Sequence, residues 1–147
     1  MSRVHRRGRR QASRYRGQKG LKLNIGCGSR LKPNFINLDF GEHADIRLDL
    51  RRPLPFNDHS CALVFSEHFL EHLVYPEGVE SFLSECFRVL APQGKILLSV
   101  PDTEWPLQQF CSGGKEWVNA CESYHWHPAE CTTFVEHLNF GSIRVSQ

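Results

Sequence analysis

Two closely spaced glycines follow a short apolar run near residue 25 of the chain. The run Leu21–Ile25 predicts a β-strand, and Gly26 and Gly28 have no Cβ, so the backbone at the end of this strand can approach a bound ligand closely. In open α/β sheets, nucleotides bind at the carboxyl end of such a strand. Two glycines alone are weak support for a ligand site, because an ordinary turn has the same composition.

Two carboxylates end the next two predicted strands. Asp39 lies near the end of the strand Phe35–Phe40 and 11 residues after Gly28, where a carboxylate can accept both hydroxyls of a ribose. Taken alone, an aspartate at a strand end is more often a turn cap. Asp49 ends the third predicted strand, Asp45–Leu50. Three successive strand ends therefore present groups suited to one adenosine.

Alternating strands and helices must position these groups. The segment Glu77–Leu90 has apolar residues at the spacing of one helical stripe and predicts an amphipathic helix. Pro92 and Gly94 predict a turn after it, and the near-continuous apolar run Lys95–Val100 predicts a strand buried on both faces. The fold class is therefore α/β, with a Rossmann-like, mostly parallel sheet and flanking helices. The predicted strands are Leu21–Ile25, Phe35–Phe40, Asp45–Leu50, Cys61–Phe65 and Lys95–Val100.

Charge divides the chain into two parts. Residues 1–20 hold eight of the 18 lysines and arginines and no acid, and we expect a disordered basic tail. Residues 21–147 hold ten basic and 16 acidic groups and are expected to form one domain. The tail could bind nucleic acid through phosphate neutralisation, although a solubilising role is at least as favoured. No apolar run reaches the length of a membrane span and no secretory signal is present, which predicts a cytoplasmic protein.

The order and spacing of these motifs resemble the class I S-adenosylmethionine-dependent methyltransferases. The resemblance covers Leu21–Asp102, and its individual motifs are weak while their combination is specific. The matching segments are Leu23-Asn24-Ile25-Gly26-Cys27-Gly28, the strand ending at Asp39, Asp49-Leu50 with Pro53-Leu54-Pro55-Phe56, Ser66–Leu73, Phe87–Gly94 and Val100-Pro101-Asp102.

The resemblance implies S-adenosylmethionine as cofactor and a role for each matching residue. Gly26 and Gly28 would let the methionine portion approach the backbone, and Asp39 would hold the ribose. The adenine would meet Asp49 and the amide of Leu50, and the transferred methyl would be bordered by Ser66 and Glu67. The full implied cofactor-binding set is Asn24, Gly26, Cys27, Gly28, Asp39, Asp49, Leu50, Ser66 and Glu67.

Two positions depart from the family pattern. Asn24 stands where many relatives have an acid, and it can still accept a hydrogen bond from an ammonium group. Arg30 stands where many relatives have a third glycine, so its side chain must point away from the cofactor or toward the cofactor's carboxylate.

An activated methyl donor requires mainly alignment of the acceptor, with modest base assistance. His68 and Asp102 are the candidate catalytic residues. His68 and His72 lie four residues apart, a spacing that predicts one shared helix face and also suits a metal, but we expect no metal there. The cysteines and histidines of Cys121–His137 match no common zinc pattern.

Several alternatives stay open. The acidic body favours a small-molecule or glycan acceptor, with oxygen and nitrogen acceptors both open. The family fold has seven strands, and only five, or six with Ser142–Ser146, can be placed, which predicts a truncated chain. A non-catalytic remnant that binds nucleic acid or protein is the main rival. A nicotinamide-dependent oxidoreductase is disfavoured because Leu31 replaces a glycine and no Tyr-x3-Lys pair is present.

Overall fold

The computed structural model of the chain describes residues 3–102 and 104–123. It consists of two compact units, Met1–Val100 and Pro101–Gln147. The first unit contains helix α1 (Arg3–Ala12), five strands and helix α2 (Glu77–Val89). The strands are β1 (Leu21–Ile25), β2 (Ile36–Asp39), β3 (Ile46–Arg47), β4 (Cys61–Glu67) and β5 (Leu90–Ser99).

All five strands belong to one parallel sheet with the order β3-β2-β1-β4-β5. The central strand β1 pairs with β2 on one side and β4 on the other. Because the strands are parallel, Ile25, Asp39 and Glu67, which end these three strands, lie along the same edge of the sheet. The predicted α/β Rossmann-like class is confirmed, and the described residues form five strands of the seven that the resemblance implies.

The connections differ from a regular strand–helix alternation. Residues 26–60 contain no helix, so loops join β1 to β2, β2 to β3 and β3 to β4. Apolar residues of the loop after β3 replace a helix in the core, because Leu48, Leu50, Leu54 and Phe56 are buried together with the strands. The connection from β4 to β5 contains α2, which buries Phe82, Cys86 and Val89.

Strand β5 begins earlier than the sequence predicts. It starts at Leu90 and continues through Pro92 and Gly94, where the composition predicts a turn. The register against β4 shifts in this stretch, and Gln93 adopts a positive φ of 66°. The extra residues therefore form a bulge within the strand instead of a break before it.

The prediction that β5 is buried on both faces is wrong for this structure. Ile96, Leu97, Leu98 and Val100 are all at least 38% exposed, and within the described residues β5 pairs only with β4. The helical stripe is also narrower than predicted, since Phe87 of α2 is 79% exposed. The continuous apolar run of β5 is typical of a central strand, whereas here it forms an edge of the sheet.

Helix α1 and the 3₁₀ turn Ser13–Tyr15 lie where the sequence predicts disorder. His5, Gly8 and Ala12 are buried on one side of α1, which packs against β3. The pKa of His5 is lowered, first by burial and then by the positive charges of Arg9 and Arg52. The buried face of α1 consists of only three small or polar residues among many arginines, so the composition of the segment does not indicate a helix.

Gly8 is the contact point between α1 and β3. A Cβ at Gly8 would meet the carbonyl of Arg47 and lie 2.7 Å from Cδ2 of Leu48. We expect Gly8→Val to displace α1 at a cost of about 1–3 kcal/mol, although valine has the higher intrinsic helix propensity. Faster hydrogen exchange of the α1 amides would show the displacement. Arg10→Val, on the exposed face, is the matched control, and equal exchange in both variants would contradict this role of Gly8.

The described part of the second unit contains helices α3 (Glu104–Ser112) and α4 (Glu116–Ser123). Pro106 of α3 and Trp117 and Cys121 of α4 are buried. The sixth strand expected at Ser142–Ser146 lies outside the described residues. No helix in residues 3–102 or 104–123 combines the length and the apolar character needed to span a bilayer.

Candidate functional site

A buried amide network fixes the start of the glycine loop. Asn24 is 2% exposed and donates from Nδ2 to the carbonyl of Arg30, at 3.0 Å, and to Oδ1 of Asn37, at 2.8 Å. Asn37 in turn donates from Nδ2 to Asp45 at 2.8 Å. Both amide protons of Asn24 are thus donated within the protein, and its Oδ1 accepts no hydrogen bond from the described residues. This oxygen is available to a ligand that carries a donor.

The two glycines have different roles in the structure. Gly26 has a φ of 70°, and a Cβ there would lie 2.7 Å from Cβ of Phe69. Phe69 itself packs against Phe82 of α2, with ring centroids 5.2 Å apart. Gly28 has a φ of 50°, and a Cβ there would meet no atom within 4 Å. Gly26 therefore admits a protein side chain, whereas the backbone at Gly28 is open to a ligand.

Asp39 holds the open end of this loop. Its Oδ2 accepts a hydrogen bond from the amide of Gly28 at 2.9 Å, and its Oδ1 accepts one from the amide of Gly41 at 2.7 Å. The carboxylate thus connects the ends of β1 and β2. Each oxygen still has a second lone pair, so the same group can accept further hydrogen bonds from a ligand.

A cavity of about 230 Å³ lies between the carboxyl ends of β1 and β4. Six predicted site residues come together here, five from the cofactor set and one candidate catalytic residue. Its lining consists of Asn24, Gly26, Cys27, Gly28, Ser29, Arg30, Glu67 and His68. Asp39 does not line the cavity itself. It accepts a hydrogen bond from the amide of Gly28, and Gly28 is a lining residue.

Charged side chains surround the mouth of the cavity. Arg30 Nη1 lies 3.4 Å from Glu67 Oε1, and the Arg30 side chain is 65% exposed, so this ion pair is weak and can rearrange. His68 has a φ of 54° and its Nδ1 lies 3.4 Å from Glu71 Oε1. An Nδ1–H directed at Glu71 leaves Nε2 as the acceptor of the imidazole. His68 precedes the 3₁₀ turn Leu70–His72, so the predicted helix face shared with His72 does not form.

The thiol of Cys27 is buried and unreactive at neutral pH. Cys27 is 5% exposed, and burial, with a smaller contribution from the negative charge of Asp39, raises its pKa to about 11. The thiol therefore stays protonated at neutral pH and is not a nucleophile. Among residues 3–102 and 104–123, no cluster of three or more His, Cys, Asp or Glu side chains is arranged to hold a metal ion.

Asp49 and Leu50 lie after β3 and do not line the cavity. Hydrogen bonding from Arg51 and Arg52 lowers the pKa of Asp49, and the nearest contact is 2.9 Å from Arg51 Nε to Oδ1. Leu50 is 6% exposed. The arginine pair of Asp49 was not expected, although two arginines directly after an aspartate are the signal that could have shown it.

Two other predicted residues use their side chains within the protein. Ser66 is 2% exposed, and its Oγ donates to the carbonyl of Ile25 at 3.0 Å, which joins β4 to β1. Asp102 lies in the second unit, and its Oδ1 accepts hydrogen bonds from the amides of Glu104 and Trp105. It is thus a helix cap for α3. Of the segment Cys121–His137, only residues 121–123 are described.

The fold is a Rossmann-like α/β domain, with glycines at the end of the first strand and a carboxylate at the end of the second. A family model described as a methyltransferase domain matches residues 31–98. Over these residues the chain is similar to methyltransferase domains.

A relative from Mycolicibacterium smegmatis is 29% identical over 137 residues, and its name is that of a probable S-adenosylmethionine-dependent methyltransferase. The match covers 80% of this chain and 51% of the relative, so the chain spans about half the length of the protein it matches. No solved structure shows a significant match.

Proposed function

We propose that this chain binds S-adenosylmethionine across the carboxyl ends of β1, β2 and β3 and transfers its methyl group to a small-molecule or sugar acceptor. The observation that carries the proposal is the cavity between β1 and β4, which is lined by Gly28, where a Cβ would meet no atom within 4 Å. The bound cofactor supplies a sulfonium methyl that is already activated for displacement. The residues of the chain have to bind the cofactor, align the acceptor with the methyl group and exclude water from the site.

The polar groups of the site fit the cofactor's methionine portion. Asn24 lines the cavity, and its Oδ1, which the described residues leave without a donor, can accept from an ammonium group. Arg30 lines the same cavity, and its guanidinium can exchange the weak pair with Glu67 for a carboxylate of the cofactor. Arg30 therefore points toward the cofactor's carboxylate, one of the two directions that the sequence left open.

The remaining cofactor contacts come from the ends of β2 and β3. The Asp39 carboxylate can accept from the ribose hydroxyls while it holds the amides of Gly28 and Gly41. Asp49, fixed by Arg51 and Arg52, and the amide of Leu50 are the proposed adenine contacts. Their positions after a neighbouring parallel strand support this assignment.

The Gly28 assignment predicts a variant that folds but does not bind. Asparagine tolerates a positive φ better than other side chains, and Gly28→Asn would place its side chain in open space. We expect an unfolding temperature close to that of the wild type and at least about tenfold weaker binding of S-adenosylhomocysteine, measured by isothermal titration calorimetry. Asn substituted at Gly17, which also has a positive φ and lies outside the cavity, is the control. Undiminished affinity of Gly28→Asn would exclude ligand approach at this residue.

His68 is the proposed base for the acceptor. It lines the cavity beside Glu67, and Nε2 can take a proton from an acceptor hydroxyl when Nδ1–H is directed at Glu71. We expect His68→Gln to lower methyl transfer by about 10²-fold and to leave binding of S-adenosylhomocysteine unchanged. A parallel loss in both measurements would assign His68 to the cofactor site instead.

The acceptor class can be tested directly. The full chain is incubated with S-adenosylmethionine labelled in the methyl group and with a cell extract divided into low-molecular-weight, RNA and protein fractions. Label in the low-molecular-weight fraction that depends on His68 would support the proposed acceptor class. Label in a polymer fraction would correct it, and cofactor binding with no labelled product in any fraction would favour the non-catalytic alternative.

A further inference from the structure

Helix α1 presents a row of arginines to solvent. Arg3, Arg7 and Arg10 follow one another at intervals of four and three residues, and Arg14 continues the row in the 3₁₀ turn after the helix. At 3.6 residues per turn this spacing places them on one narrow stripe. All four are exposed. We call these residues the arginine stripe.

The arginine stripe lies opposite the face by which α1 is held. The buried residues His5, Gly8 and Ala12 also follow a helical spacing, and on a helical projection they are about half a turn away from the stripe. Packing of Gly8 against Arg47 and Leu48 therefore directs the stripe outward from the first unit. The sequence-based expectation of a disordered tail gives no such orientation.

The charges of the stripe are not neutralised by the described part of the protein. The ion pairs found in residues 3–102 and 104–123 involve other arginines, namely Arg30, Arg51, Arg52 and Arg88. Within the stripe, only Arg14 has an aromatic contact, with its guanidinium 4.9 Å from the ring centroid of Tyr15. Four like charges in a row repel one another, so a bound polyanion would be stabilising.

We propose that the arginine stripe binds the sugar-phosphate backbone of a nucleic acid. From residue 3 to residue 14 a helix rises by about 17 Å, and one nucleic-acid strand presents about five phosphates over that distance. Guanidinium groups bind phosphate oxygens in pairs, and seven of the eight basic residues in residues 1–20 are arginines.

A membrane surface is the less suitable anionic partner. Helices that lie on membranes need an exposed apolar face that enters the acyl region. In α1 the only large apolar residue is Val4, which is half-buried, and the other non-arginine positions on the inner face are occupied in packing. The stripe thus offers charge without an apolar anchor, which suits a soluble polyanion.

The test compares two variants that lose equal charge. Binding of fluorescein-labelled oligouridylate and oligothymidylate to the full chain is followed by anisotropy between about 50 and about 200 mM KCl. Arg3→Gln/Arg7→Gln/Arg10→Gln removes three charges of the stripe with little change in helix propensity. Lys22→Gln/Lys95→Gln/Lys115→Gln removes three charges at exposed positions elsewhere.

We expect the wild type to bind with a slope of log K against log salt of about −3, as for four phosphate contacts on a single strand. The stripe variant should bind at least about tenfold more weakly with a slope near −1, while the lysine variant stays within about twofold of the wild type. Relative affinity for the two oligonucleotides then assigns RNA or DNA.

Three results would overturn the proposal. These are no binding by the folded wild type, equal weakening in both variants, and binding of heparin or of phosphatidylserine vesicles that matches or exceeds that of the oligonucleotides at equal anionic charge. Circular dichroism of the stripe variant confirms that α1 is retained. The stripe contributes no residue to the cavity, so the stripe variant should bind S-adenosylhomocysteine in a titration as the wild type does. This titration tests the nucleic-acid proposal independently of the proposed methyl transfer.

Discussion

Asp39→Ala should weaken the binding of S-adenosylhomocysteine by about 10²-fold. The substitution removes the proposed acceptor of two ribose hydroxyls, and hydrogen bonds to a charged group contribute about 1.5–3 kcal/mol each. It also releases the amides of Gly28 and Gly41, which the carboxylate holds at 2.9 and 2.7 Å. Both effects act on the same ligand, so this is the largest effect on affinity that we expect from a single side chain.

Calorimetric titration of the wild-type chain and its variants measures the effect. Glu42→Ala removes an exposed carboxylate three residues further along the same loop, and its affinity should equal that of the wild type. Asp39→Asn keeps one oxygen acceptor, so we expect an intermediate loss of about tenfold. If Asp39→Ala and Glu42→Ala bound equally well, the ribose would have to lie elsewhere. Thermal unfolding of each variant separates lost contacts from lost structure.

The sheet could be predicted because strand signals are local. The run Leu21–Ile25 and the helix that starts at Glu77 appear in the structure at the predicted positions, since apolar residues at period two or 3.6 show which face is buried. The parallel arrangement of the strands was predicted from the alternation of strands and helices along the chain. The glycines, Asn24, Glu67 and His68 meet in one cavity for the same reason, because they follow or end strands of one sheet.

What the sequence did not predict depends on contacts between distant segments. The docking of α1 requires a glycine opposite Arg47, 39 residues later, and nothing in residues 1–20 alone indicates a partner. The exposure of β5 could not be predicted either. The apolar composition of a strand shows that it is suited to burial, but it does not show which elements pack against the strand. The sequence alone does not show whether the Ser66 hydroxyl contacts a ligand or the carbonyl of Ile25. The pairing of β4 with β1 places it within hydrogen-bonding distance of that carbonyl.

Arg88 is the residue whose loss should most reduce stability. Its Nε and Nη2 donate to the two oxygens of Glu85, at 2.9 and 2.7 Å. Nη2 and Nη1 also donate to the carbonyls of Leu54 and Phe56, each at 2.9 Å. Glu85 in turn accepts from the amide of Leu54 at 2.7 Å. One guanidinium therefore fastens the loop before β4 to α2, and no other residue type has donors in this arrangement.

We expect Arg88→Met to lower the free energy of unfolding by about 3 kcal/mol, because two carbonyls lose their donor and a largely buried carboxylate keeps only the amide of Leu54. Arg88→Lys keeps the charge but not the paired donors and should lose about half as much. Chemical denaturation monitored by circular dichroism measures both. Arg16→Met, at an exposed position, is the control and should change stability by less than about 0.5 kcal/mol.

The ionisation of Glu85 provides an independent check on this pair. Hydrogen bonding from Arg88 lowers the pKa of Glu85 below its usual 4.5, so the folded state binds a proton less readily than the unfolded state. The stabilisation is fully present above about pH 4.5 and is lost as the pH falls through the lowered value. The difference between wild type and Arg88→Met should therefore shrink in acid. Glu85→Gln/Arg88→Met should be more stable at neutral pH than Arg88→Met, because glutamine carries no uncompensated charge and can still accept from Leu54. Equal stability of the single and double variants would mean that the carboxylate is solvated and that the loop is held by other contacts.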